Sequence, residues 1–252
     1  MPYLLTNKPQ RTQFGFLIFL IACSTLFFGV VGALINTVNA RAELDFRYSF
    51  YITQTISSFG VFFFPAILFS YFHSKNWFSY SQANKKVSLH LVGYLFIISL
   101  LLLPVIACLG YLNEQISLPN SLNSIELWMR KMENANKELL LKLVDNSTLS
   151  ILFLNVVAMA IFPALFEEFL FRGTLQPFFT KWFANKHIAV LVTAFIFSAI
   201  HFQFFGFIPR FLLGVYLGYL LLWGQSLWLP IIAHFFHNAM SLIVNYITQH
   251  YA

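Results

Sequence analysis

The sequence predicts an all-α membrane protein, a polytopic helix bundle in the cell membrane. Hydrophobic residues make up 59% of the 252 residues and charged residues only 10%, whereas soluble domains carry about 25% charged residues. The apolar residues form long continuous runs, which indicate transmembrane helices. A membrane β-barrel would instead show short segments of alternating hydrophobicity. We therefore expect a chain that crosses the lipid bilayer several times.

Seven apolar runs predict the individual spans, and we expect about seven or eight transmembrane helices. The runs cover residues 14–35, 50–72, 87–112, 149–182, 187–204, 210–223 and 227–246. The fourth run is much longer than a bilayer core of about 30 Å requires. We expect Pro163 to kink the helix there, because a proline inside a helix removes a backbone hydrogen bond.

One segment between the third and fourth runs predicts a different kind of helix. Residues 125–144 place apolar side chains at helical spacing, with charged side chains between them. This pattern is typical of an amphipathic interfacial helix, which lies on the membrane surface or caps the bundle. A substrate gate is the functional alternative. The chain divides loosely at this point, into N-terminal helices with the amphipathic helix (1–148) and a second transmembrane part (149–252).

The charge distribution limits the partners that we expect. The net charge is +6, and the basic residues lie in the connections or at the ends of runs, with Arg172 as the exception. Basic connections fit anchoring at a membrane surface, and no basic and aromatic patch indicates a nucleic-acid partner. Cys23 and Cys108 lie in apolar runs without metal-type spacing, so we expect both to serve packing.

Two acidic residues stand out, because only Glu167 and Glu168 lie inside the apolar runs. Removing a carboxylate from water costs several kcal/mol even after the protein relaxes. Glu168 and Arg172 are four residues apart, which brings two side chains onto the same face of a helix. We expect this pair to fix the helix and to supply a compensating charge.

The spacing of the polar residues predicts a common depth in the membrane. If the chain turns near residue 184, Glu167 lies 17 residues before the turn and His201 lies 17 residues after it. Residues at equal distances from a turn stand at the same height in two antiparallel helices. His234 and Asn238 share a face of the last run, and counting residues along the last two runs places them at the same depth as Glu167 and His201. Glycines on these helices would allow close approach.

This combination of side chains predicts hydrolytic chemistry inside the membrane. A carboxylate and two imidazoles can activate water, with Glu167 as the general base. His234 and Asn238 can donate hydrogen bonds to a developing oxyanion or help to hold the water. The expected reaction is hydrolysis of a peptide bond in a membrane-associated peptide or protein, by a non-covalent route.

Three short motifs also resemble a known family. They lie in order on predicted membrane helices: Glu167-Glu168-x-x-x-Arg172-Gly173, Phe197-x-x-x-His201 and His234-x-x-x-Asn238. They are similar to the motifs of the CAAX prenyl endopeptidase and bacteriocin-processing (CPBP) family of intramembrane proteases, described as metalloproteases or glutamic endopeptidases. The resemblance covers roughly residues 149–252, and the family core is usually described with eight spans.

The resemblance implies a role for each candidate residue. Glu167 would be the catalytic base, and His201, His234 and Asn238 would position water or the oxyanion. Glu168 and Arg172 would be supporting residues. By this resemblance, residues 149–252 form the catalytic transmembrane core. The family also suggests substrates that include prenylated C-terminal peptides.

Three alternatives stay open beside this prediction. No cofactor is expected, but two histidines and a glutamate also make a plausible zinc set; the sequence lacks the H-E-x-x-H pattern, and Arg172 would oppose a dication. A non-catalytic membrane scaffold or a bacteriocin-immunity protein could use the same fold. A proton-coupled transporter is disfavoured, because the ionisable residues within the spans all lie in the second half.

Overall fold

A computed structural model describes residues 4–74, 76–144 and 148–251, and these residues form helices and connections without any strand. The all-α fold class is therefore confirmed. The helices in chain order are α1 Gln10–Arg41, α2 Phe46–His73, α3 Trp77–Tyr80, α4 Leu89–Glu114, α5 Asn123–Val144, α6 Leu149–Phe183, α7 Lys186–Ala199, α8 Phe207–Gly224 and α9 Trp228–Tyr251.

The helices confirm a multi-pass membrane protein. Five of them are long and apolar enough to cross a membrane, namely α1, α2, α4, α6 and α8. Helix α7 is apolar but has only 14 residues, and α9 has 24 residues with polar side chains near its middle. The total of seven or eight spans stays a prediction. The expected run to residue 204 was wrong at its end, because α7 stops at Ala199 and a short irregular segment precedes α8.

Three wide helical turns interrupt α2 and α6 just before prolines. The π-helical turns are Phe59–Phe63, Val157–Ile161 and Phe171–Leu175, and Pro65, Pro163 and Pro177 follow them. A proline has no backbone N–H and its ring crowds the carbonyl four residues earlier. A π-turn relieves this conflict by shifting hydrogen bonds to the fifth preceding residue.

The interruptions leave α6 continuous, as the predicted common depth of Glu167 and His201 requires. The N–H of Phe162 bonds to the carbonyl of Val157, and the N–H of Gln176 bonds to the carbonyl of Phe171. The helix therefore runs on through Arg172 and Gly173, and the chain turns at Ala184, whose backbone is left-handed with φ 51°.

Aromatic rings and small residues pack the second half of the chain. Phe171 and Phe197 are both buried, with ring centroids 5.1 Å apart and planes at 86°. Helices α7 and α8 lie very close together, since a Cβ added to Gly214 would come within 3.1 Å of the Ala194 Cβ. Lipid chains are as apolar as helix surfaces, so close packing of this kind drives association inside a membrane.

The amphipathic helix is present as α5, and it packs with its C-terminal end against the bundle. Only its last two residues, Leu143 and Val144, are buried. Lys137 of α5 forms an ion pair of 2.6 Å with Glu114 at the end of α4. Whether α5 lies at the membrane surface stays a prediction. The expected division near residue 148 also stays a prediction, and it borders residues 145–147, which lie outside the described residues.

Candidate active site

A cavity of about 700 Å³ lies among α4, α5, α6, α8 and α9. Its walls include the four side chains that the sequence predicted at one depth, Glu167, His201, His234 and Asn238. Apolar side chains of α4, α5, α8 and α9 complete the walls. Ligand-binding cavities in proteins are typically about 300–1,000 Å³ and combine apolar walls with a few polar groups.

Two neighbouring glutamates of α6 have different surroundings. Consecutive helical residues point about 100° apart, so Glu167 reaches the cavity whereas Glu168 points into the bundle. Glu167 lines the cavity and is 8% exposed, and Glu168 is 0% exposed. A ligand in the cavity can therefore reach the carboxylate of Glu167, whereas only protein groups can reach the carboxylate of Glu168.

Glu168 is the centre of a buried polar network. Arg172 Nη1 donates to Glu168 Oε1 at 2.8 Å, as their spacing predicted, and His234 Nδ1 lies 2.9 Å from the same oxygen. A carboxylate oxygen accepts, so His234 Nδ1 carries the hydrogen. Arg172 Nη2 donates to the carbonyl of Gly214 at 2.9 Å. The network ties α6, α8 and α9 together and sets the orientation of the His234 ring.

His201 lines the cavity next to Glu167. Its Nδ1 lies 2.7 Å from the carbonyl oxygen of Phe197 and must donate to it. In the neutral ring Nε2 then carries a lone pair, and this atom lies 3.9 Å from Glu167 Oε2. That separation exceeds a direct hydrogen bond. Two acceptors at this distance can both receive hydrogen bonds from one water molecule beside them.

The last helix contributes an amide to the same cavity. Asn238 Nδ2 donates to the carbonyl of Met159 at 3.4 Å. Met159 lies four residues before Pro163, so the proline leaves this carbonyl without its usual helical partner. His237 also lines the cavity, and its Nδ1 is buried without a hydrogen-bond partner among the described residues.

A comparison with known families finds a match in the second half of the chain. Residues 149–240 match the family described as Type II CAAX prenyl endopeptidase Rce1-like. This segment, which is less than half of the chain, is therefore similar to the Rce1-like CAAX prenyl endopeptidases. No curated protein and no solved structure gave a significant match. The Rce1-like segment contains all six candidate residues.

The Rce1-like segment also brings two residues to the cavity that the sequence analysis had not assigned to the site. Arg210 stands at the start of a predicted apolar run, and α8 begins earlier, at Phe207, so that Arg210 lies in its first turn. Gln203 lines the cavity and accepts a hydrogen bond from Arg210 Nη2. Pro209 was the missed signal, because proline is favoured in the first turn of a helix.

The side chains of the cavity bear on the alternative of a zinc site. The described residues contain no group of three His, Cys, Asp or Glu side chains arranged to hold a metal ion. His234 Nδ1 is taken up by Glu168, and the Arg210 guanidinium adds a positive charge to the same cavity. We therefore derive no chemical step through a metal.

Proposed function

We propose that this chain hydrolyses a peptide bond of a membrane-associated peptide or protein, using a water molecule activated by Glu167. The observation that carries the proposal is the pair of acceptors at the cavity wall, Glu167 Oε2 and His201 Nε2, 3.9 Å apart. A carboxylate and a neutral imidazole at this spacing form a cradle for one water molecule.

The cradle accounts for the first chemical step. Water donates one hydrogen to Glu167 and the other to His201, which directs an oxygen lone pair into the cavity. As the water oxygen attacks the carbonyl carbon of the scissile peptide bond, Glu167 takes a proton from the water. The π electrons of that carbonyl move onto its oxygen. Glu167 then returns the proton to the nitrogen as the C–N bond breaks, so no covalent enzyme intermediate forms.

The buried network has a positioning role in this proposal. Glu168 and Arg172 lie outside the cavity lining and cannot touch a substrate there. They hold the His234 ring through its Nδ1 and anchor α6 to α8 through the Gly214 carbonyl. Asn238 keeps an amide N–H free beyond the one it donates to Met159, and it is available to the peptide carbonyl or to the water.

The matched family is described as a CAAX prenyl endopeptidase, so prenylated CAAX peptides are the first substrates to test. The cavity contains the apolar side chains of Ile106, Leu141 and Leu242 beside the polar ones. These side chains suit a substrate that carries an apolar group close to the scissile bond. We therefore expect a farnesylated peptide to be cleaved faster than the same peptide without its prenyl group.

A peptidase assay in detergent tests the proposal. The purified chain is incubated with an internally quenched farnesylated CAAX peptide, its unprenylated copy and a library of peptides from membrane proteins. Mass spectrometry identifies the bond that is cleaved. Removing the general base with Glu167→Gln should lower kcat by about 10²–10⁴-fold. The matched control is Glu43→Gln, since Glu43 is exposed and far along the chain from the cavity.

Two outcomes would contradict the proposal. Full activity of Glu167→Gln would show that Glu167 is not the general base. Loss of wild-type activity with a chelator such as 1,10-phenanthroline, followed by recovery on adding zinc, would replace water activation by Glu167 with metal chemistry. Absence of any cleavage by the wild-type chain would instead favour the non-catalytic scaffold.

A further inference from the structure

Arg210 is a cavity residue whose guanidinium is held in place but incompletely bonded. Its Nη2 donates to Gln203 Oε1, and the group lies against the backbone of Gly206, where an added Cβ would come within 3.2 Å of Nη2. Arg210 Nη1 is buried and has no hydrogen-bond partner among the residues that the structure describes. A buried charged donor without a partner is costly, so this atom needs an explanation.

The Arg210 guanidinium lies close enough to Glu167 and to Glu133 of α5 for its charge to be attracted by both carboxylates. Neither carboxylate forms an ion pair with it within the described parts of the chain. The guanidinium therefore stands near the proposed base without being neutralised by direct contact. Arg210 lines the cavity, and no described residue accepts its Nη1 hydrogens, so a carbonyl oxygen that displaces the atoms covering Nη1 would be able to accept one of them.

The two histidines closest to the glutamates have each already committed the hydrogen on Nδ1. His201 uses its Nδ1 hydrogen for the Phe197 carbonyl, and His234 uses its Nδ1 hydrogen for Glu168. In its neutral form, each ring then offers a lone pair at Nε2, which cannot donate to an oxyanion. Asn238 is a neutral donor, and its amide already contacts the Met159 carbonyl. A positively charged donor in this cavity must come from Arg210.

Resting on the hydrolysis proposed above, we propose that Arg210 is a further catalytic residue whose Nη1 donates to the scissile carbonyl oxygen as that oxygen gains negative charge. The electron count supports this assignment. When Glu167 takes the proton from water, its negative charge is lost and an equal charge appears on the carbonyl oxygen. Arg210 then faces one anion before the step and one anion after it.

A ground-state anchor for a substrate carboxylate is the competing role for Arg210. A permanent carboxylate next to Arg210 would place a second anion beside Glu167, and like charges at such a site repel. It would also occupy the guanidinium when the tetrahedral oxygen needs it. The two roles differ in kinetics, because an interaction made only in the transition state changes kcat and not KM.

The test measures kcat and KM for Arg210→Gln and Arg210→Lys with the internally quenched farnesylated CAAX peptide. Removing one oxyanion donor costs about 10²–10³-fold in kcat, so we expect that loss for Arg210→Gln with KM little changed. Arg210→Lys should fall in between. The matched control is Arg130→Gln, because Arg130 packs on the Phe205 ring at 4.6 Å but does not line the cavity.

A rescue experiment separates chemistry from folding. Added guanidinium should restore part of the kcat of Arg210→Ala and leave Arg130→Ala unchanged, which a purely structural role for Arg210 would not produce. If Arg210→Gln raises KM at constant kcat, or changes neither constant, Arg210 is not the oxyanion donor. An inactive Glu167→Gln together with that result overturns the Arg210 proposal alone. A fully active Glu167→Gln, or no turnover by the wild-type chain, overturns both proposals.

Discussion

Helices α1 and α6 are both long and strongly apolar, yet they serve the molecule in different ways. In the most apolar window of α1, 11% of the residues are buried, against 28% in α6. Helix α1 turns most of its large side chains outward, such as Leu26, which is 72% exposed. Helix α6 instead carries Glu167, Glu168 and Arg172, none of which is more than 8% exposed.

This comparison teaches where the information in a membrane helix lies. Hydropathy identifies a segment that can cross the bilayer, but it does not tell a lipid-facing helix from a central one. Lipid solvates apolar side chains as well as protein does, so the central helix is marked by its polar and small residues. In this chain the buried charged residues Glu167, Glu168 and Arg172 all lie after residue 149.

The largest effect on stability is expected from breaking the buried pair of α6. Glu168→Gln leaves the Arg172 guanidinium without its anion at a position that is 0% exposed. Removing one partner of a buried ion pair costs about 3–5 kcal/mol. We expect this loss in unfolding by SDS from detergent micelles. Glu167→Gln, at the neighbouring position that lines the cavity, should lower the unfolding free energy far less. Equal losses for the two variants would contradict the distinction between a cavity glutamate and a buried, paired one.

A smaller effect is expected from filling a close helix contact. A Cβ added to Gly218 of α8 would approach Val190 Cγ1 to 2.8 Å and Gln176 Oε1 to 3.1 Å. Overpacking of this kind costs about 1–3 kcal/mol. We expect Gly218→Ala to lower the unfolding free energy accordingly, measured in the same SDS titration.

The control lies on the exposed helix. Gly15→Ala in α1 meets no atom within 4 Å, and replacing a mid-helix glycine with alanine stabilises by about 0.5–1 kcal/mol. Opposite signs for the two substitutions would sharpen the contrast between α1 and α8. If Gly218→Ala were as harmless as Gly15→Ala, the close contact between α7 and α8 would not contribute to stability.

The candidate site was predictable wherever one helix or one turn determined it. The Glu168–Arg172 pair follows from i, i+4 spacing, and the meeting of Glu167 and His201 follows from counting residues to the turn at Ala184. The wide turns at the prolines do not disturb this counting enough to separate the two side chains.

The missed parts depend on contacts between segments that no local pattern encodes. The fold of residues 200–206 after α7 decides that Gln203 and Gly206 meet the Arg210 guanidinium. Likewise, the spacing of His234 and Asn238 places them on one face but does not reveal their partners. His234 bonds to Glu168 rather than remaining a free donor, and Asn238 contacts a carbonyl on α6.

The smallest effect on stability is expected when both charges of the buried pair are removed together. Replacing a buried ion pair by apolar side chains of similar volume is often neutral, because the cost of burying two charges disappears. The double substitution Glu168→Leu with Arg172→Met leaves the His234 Nδ1 donor without its acceptor, which costs about 1 kcal/mol or somewhat more.

We therefore expect the unfolding free energy of the double variant to be close to that of wild type and well above that of Glu168→Gln. We also expect the double variant to have lost most peptidase activity, because nothing then orients the His234 ring at the cavity wall. A double variant that is as unstable as Glu168→Gln would mean that Glu168 stabilises the bundle without Arg172. A stable double variant with full activity would mean that the orientation of His234 does not matter for the reaction, and that the cavity side of α6 works independently of its buried side.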